Sequence, residues 1–132
     1  MTLFQYCVKY STEMENTTQP SIAAVLGIGL TRLVVLAAVA RAEEPIHGYE
    51  LARKLSAESP EGMSFKQGTL YPLLRTMERE GLISSILIPS SEGPARKCFS
   101  VTPSGQDTLK HWTASWQDTT QWVSSILEKD KT

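Results

Sequence analysis

A chain of 132 residues is long enough for one domain with a modest core, and marginal as an isolated monomer if part of it is an extended arm. Thirteen Lys and Arg against fourteen Asp and Glu give a formal net charge of -1, so there is no overall basic signature and any nucleic-acid footprint must be local. Cys7 and Cys98 lack zinc-site spacing, and His47 and His111 lie in different elements with no partner set for a triad, which argues against an enzyme, a metal centre or a cofactor. With no secretory context, both thiols read as reduced in a cytoplasmic protein.

The chain opens on a β-prone stretch, Leu3, Phe4, Tyr6, Val8 and Tyr10, followed by polar residues. Residues 1–20 therefore read as an N-terminal arm, either a pairing strand or flexible, with no function assigned. Residues 21–40 are apolar enough to suggest a membrane span. Thr31-Arg32 interrupts them, however, and Glu13 and Glu15 precede them where a basic cluster would be needed. An Arg at mid-bilayer costs ~2.5 kcal/mol or more, so no membrane is expected. Leu33, Leu36, Ala37 and Ala40 instead repeat at helical spacing and predict a buried first helix over 30–41, stopped before Pro45. A second helix is predicted over 48–58, with Tyr49, Leu51, Ala52 and Leu55 inward and His47 capping its start. Ser64 with Gln67 three residues on has the form of a capping box opening a third helix.

That third helix carries the most information. Leu70, Leu73, Leu74 and Met77 form one apolar stripe, Gly81 stops it, and Lys66, Gln67, Thr69, Tyr71, Arg75 and Arg79 are left outside. This outer set has amides and hydroxyls able to bond base edges or phosphate oxygens, and cations able to neutralise phosphate. Pro72 conflicts with a regular helix there, and a bend or loosened first turn around Gly68 is the expected resolution. Strands over 82–88 and 96–102 enclose a loop at 89–94, with Arg96 and Lys97 at its base. A last helix over 104–128 places Leu109, Trp112, Trp116, Thr119, Val123 and Ile126 on an alternating 3 and 4 spacing, the seam of a helix that packs on another. On a monomer that stripe would be exposed, so a homodimer follows, with the helix also packing partly on the first helix.

The pieces LVVLAAVA (33–40), HGYELARKL (47–55), GTLYPLLRTMEREGLI (68–83) and ARKCFSVTPSGQDTL (95–109), with a Trp-bearing final helix, resemble the PadR family of bacterial transcriptional regulators. The resemblance runs from Leu33 to Leu127. Its most specific string is Gly68-Thr69-Leu70-Tyr71-Pro72. It implies a mainly α fold with a small β-wing, a winged helix-turn-helix with a long C-terminal dimerisation helix. The division is then an arm at 1–20, a DNA-binding domain at 21–103, and a dimerisation helix and tail at 104–132.

The implied function is repression by a homodimer bound to double-stranded promoter or operator DNA. Lys66, Gln67 and Thr69 are candidates for base contact, and Tyr71, Arg75, Arg96, Lys97 and Tyr49 for phosphate positioning. Ser115-Trp116 matches the Ser-Trp pair of drug-responsive members, which implies a slot for a small aromatic effector at Trp116 and Trp112. The residues leave a rival open, a winged helix that binds protein partners without DNA. Local charge discriminates: acidic Glu78, Glu80 and Glu92 intruding among Lys66, Arg75, Arg96 and Lys97 would favour the rival.

Overall fold

The computed structural model describes residues 21–129; the expectations for residues 1–20, Cys7 included, lie outside the described residues. In chain order the elements are α1 (Ile22–Arg41), β1 (Ile46–His47), α2 (Gly48–Glu58), α3 (Gln67–Arg79), β2 (Ile83–Ser90), β3 (Gly93–Val101) and α4 (Pro103–Lys129). The strands form one antiparallel sheet in the order β1-β3-β2. This is the expected winged helix-turn-helix, mainly α, with a long C-terminal helix.

Helix α1 starts eight residues before the predicted start at 30. Ser21 explains this. Its hydroxyl accepts from the Ala24 N–H at 3.1 Å and donates to the Glu61 carbonyl at 2.6 Å. The cap thus ties the helix start to the turn between α2 and α3. Gly62 of that turn has φ +100°, and a Cβ there would stand 2.4 Å from Ser21 Oγ. Gly27 and Gly29 are carried inside α1 despite a propensity cost of about 1 kcal/mol each. The buried positions are Val35, Leu36 and Val39, so the stripe is rotated from the predicted one; Leu33, Ala37 and Ala40 are only half-buried. Among the described residues, no helix is long and apolar enough to cross a membrane.

The sequence reading missed β1. Two residues carry no periodicity, and Ile46 and His47 become a strand only by pairing with Phe99 and Cys98. His47 does cap α2, its Nδ1 accepting from the Tyr49 N–H at 3.1 Å. Tyr49, predicted inward, is 57% exposed, and Gly48 occupies the buried place instead.

The capping box at Ser64 is not formed. Helix α3 begins at Gln67 with Lys66 as its cap residue, and no side chain bonds the cap. Phe65 is the reason: its ring is buried in the core, so the chain stays extended through Lys66 and turns only afterwards. The Lys66 carbonyl then accepts from both Thr69 and Leu70 at 2.9 Å. At the other end Gly81 takes φ +81°, with Gly81 N–H bonded to Glu78 O and Leu82 N–H to Met77 O, each at 3.0 Å. Those two bonds are a Schellman motif, as a glycine stop implies.

The wing is tighter than predicted. Pairing of β2 with β3 continues from Ile83↔Val101 to Ser90↔Gly93, leaving Ser91-Glu92 as the tip in place of a loop over 89–94. Pro89 sits at a register shift between Ile88 and Ser90, where a missing N–H disturbs no regular ladder. Helix α4 is capped by Thr102, whose Oγ1 accepts from Gly105 N–H at 2.9 Å and donates to the Gly81 carbonyl at 2.6 Å. Pro103 opens the helix, where its lack of an N–H costs nothing. A Cβ on Gly105 would lie 2.0 Å from Leu82 O, so the start of α4 rests directly on the turn that ends α3.

Candidate nucleic-acid interface

At 100° per residue, α3 has four sides. Leu70, Leu74 and Met77 fill the buried side. Thr69 and Leu73 face a groove beside Ala24 and Gly27 of α1, and Glu80, which caps the end of α3, pairs with Arg32 of the same helix. Opposite that flank, Tyr71 leans on α2: a Cβ on Gly48 would stand 2.9 Å from its hydroxyl. Gly68, Pro72, Arg75 and Arg79 form the outer side, all exposed. This placement accounts for Pro72. The carbonyl it leaves without a helical partner is that of Gly68, on the solvent side and open to water.

Lys66 and Gln67 are exposed at the N-terminal end, where the uncapped first turn presents backbone N–H groups outward. Among the described residues, no carboxylate pairs with Lys66, Arg75, Arg79 or Arg96. Arg79 has neither neighbouring carboxylate as a partner, because Glu78 is engaged by Lys97 and Glu80 by Arg32. Its spacing of four from Arg75 was the available signal.

Arg96 and Lys97 are adjacent in β3 and therefore point to opposite faces. Arg96 lines a groove with His47, Glu50, Ile88 and Glu92, beside the buried free thiol of Cys98. Lys97 faces α3, its Nζ 3.1 Å from Glu78 Oε1 and 5.6 Å from the Phe99 ring centre. The Ser85 hydroxyl donates to the other Glu78 oxygen. Those contacts, Ser85 first and Lys97 second, hold the Glu78 carboxyl below its ordinary value of 4.5. Of the three acidic residues that would favour a protein-binding wing, Glu78 and Glu92 do lie among the wing cations, Glu78 against Lys97 and Glu92 in the Arg96 groove, while Glu80 is drawn off to Arg32.

The α4 seam divides. Leu109 and Trp112 are half-buried against the chain's own core, and the Arg32 guanidinium lies 5.7 Å from the Trp112 ring centre. Trp116, Thr119, Val123 and Ile126 are exposed, as are Trp122 and Leu127, which the seam omitted. Ile22, Val25 and Leu26 of α1 are exposed too. Between α1 and α4 lies a cleft of roughly 270 Å³, lined by Arg32, Leu33, Trp112, Ser115, Trp116 and Thr119 among others.

Residues 35–111 match the Transcriptional regulator PadR-like family, more than half of the chain. The chain belongs to the PadR-like family of transcriptional regulators. Solved structures agree. A PadR-like transcriptional regulator from Bacillus cereus is 31% identical, with a TM-score of 0.67 over 77% of this chain and 95% of that one. A PadR-family regulator from Eggerthella lenta is 29% identical, with a TM-score of 0.68 over 81% and 89%. One from Clostridium difficile is 27% identical, with a TM-score of 0.65 over 75% and 99%. Membership makes this PadR-like protein a DNA-binding transcription regulator and not an enzyme.

Proposed function

We propose that this PadR-like protein is a cytoplasmic, sequence-specific repressor that occupies a promoter as a homodimer. The observation that carries the reading is the end of α3: exposed Lys66 and Gln67, an uncapped first turn, and an outer side continued by Arg75 and Arg79, cations with no ion pair among the described residues. Lys66 and Gln67 read base edges, with Thr69 at the margin because it turns towards α1. Arg75, Arg79, Arg96, Tyr71 and Tyr49 position phosphates. Exposed Trp116, Trp122, Val123 and Ile126 of α4, with Val25 and Leu26 of α1, form the surface that a second copy covers. Two α3 helices related by a two-fold axis would then enter major grooves about 10 bp apart.

Fluorescence anisotropy against DNA from upstream of the protein's own gene, with scrambled competitor across a salt series, tests this directly. Saturable binding that resists competitor and weakens steeply with salt is expected. Lys66→Ala with Gln67→Ala should abolish sequence preference while leaving the dimer intact; an unchanged footprint would remove α3 from the reading role. The cleft beside Trp112 and Trp116 supports a second reading, a flat aromatic effector whose binding changes DNA affinity. A wing that binds protein alone stays the rival reading: Glu78 sits against Lys97 and Glu92 shares the Arg96 groove, whereas Lys66, Arg75 and Arg79 have no acidic partner among the described residues and favour DNA.

A further inference from the structure

Glu78 is an acidic side chain on the DNA-reading helix, and both of its oxygens are committed to the wing. Lys97 Nζ lies 3.1 Å from Oε1, and the Ser85 hydroxyl donates to Oε2. Ser85 is on β2 and Lys97 on β3, both on the face of the hairpin that looks towards α3. One carboxylate therefore holds both strands of the wing against α3. It also neutralises one of the two cations of the hairpin, while Arg96 on the opposite face has no ion pair among the described residues.

We infer that Glu78 is a positioning residue that competes with DNA phosphate for Lys97, and so limits the sequence-independent part of DNA affinity. The inference rests on the DNA-binding reading proposed above. Lys97 and Glu78 are both partly exposed, with side-chain exposures of 44% and 31%. A pair this open to water holds Lys97 only in part, so phosphate gains that cation only by displacing Glu78. While the pair persists, Lys97 displaces no counterion from DNA, and the wing contributes through Arg96 alone. Sequence recognition at Lys66 and Gln67 is untouched, because they lie at the other end of α3. The outcome is a larger ratio of specific to nonspecific binding, obtained by withholding a phosphate contact that every sequence would share.

The test uses the full chain and a random-sequence duplex, with binding followed by anisotropy between about 50 and 200 mM salt. Glu78→Gln keeps the shape and a partner for Ser85 but removes the charge. It should steepen the logarithmic salt dependence by about 0.9, the value of one added phosphate contact. Over that salt range this is an additional loss of roughly three- to four-fold in affinity. Adding Lys97→Ala to Glu78→Gln should return the slope to that of the wild type. Ser85→Ala, which loosens the wing but leaves the ion pair, should keep the wild-type slope, separating charge release from altered wing geometry. An unchanged slope in Glu78→Gln, or a steepening that survives Lys97→Ala, overturns the inference while leaving the DNA-binding reading intact. Failure of the wild type to bind any duplex at low salt overturns both.

Discussion

Single residues set the ends of the elements here, and Gly81 is the clearest case. Its φ of +81° is the left-handed conformation, and no atom lies within 4 Å of where a Cβ would stand. Gly81→Ala therefore meets no clash, and its cost is backbone strain alone, about 1–2 kcal/mol. Urea unfolding should show that loss with an unchanged slope; an unchanged midpoint would mean that the turn adopts positive φ without penalty. Glu78 gives a prediction of a different kind. Because its carboxyl is held below 4.5 in the folded chain, its contacts add stability above the unfolded value. That contribution disappears as pH falls through the lower folded value. Wild type should melt above Glu78→Gln at pH 7, with the gap closing below about pH 4.5. A gap independent of pH would mean that the ionised carboxylate is not its source.

Between elements, the decisive joint is that of α3, β3 and α4. Thr102 ends β3, caps α4 and bonds the Gly81 carbonyl, so the helix proposed to set the dimer is fixed to the turn that ends the reading helix. Thr102→Val keeps the volume but removes both bonds. A loss of about 1–2 kcal/mol is expected in denaturant titration, the upper end of a lost cap, because the bond to Gly81 goes as well. A second joint is Arg32, which reaches Glu80 at the end of α3 and lies over Trp112 of α4. Through these contacts a shift of α4 reaches α3 without passing through the wing.

For the whole molecule, the division of the tryptophans is the testable point. Trp112 packs on the chain's own core, whereas Trp116 is 42% exposed. Trp112→Ala should lower the unfolding midpoint of the chain itself. Trp116→Ala should instead weaken association in sedimentation by tenfold or more, with little effect on the monomer's stability, as expected for an aromatic anchor at an interface. If Trp116→Ala leaves the association constant unaltered, the second copy does not sit on this face of α4.

Most of the architecture was legible in the residues, because it rests on local rules. Leu70, Leu74 and Met77 repeat at helical spacing, Gly81 and Pro103 punctuate, and strings such as Gly68-Thr69-Leu70-Tyr71-Pro72 carry the family resemblance. Of the candidate site, the sequence supplied which residues carry donors and cations on α3 and at the base of the wing. It did not supply their partners. The capture of Lys97 by Glu78, the pairing of Glu80 with Arg32 instead of Arg79, and the turning of Thr69 towards α1 all depend on which elements meet. The same holds for β1, which exists only by pairing with β3, and for the start of α3, moved past Ser64 by burial of Phe65. Periodicity and turn chemistry act over a few neighbouring residues and are written in the chain. Ion pairs, short strands and shifted caps are decided by contacts between residues distant in sequence, and only the tertiary structure brings these together.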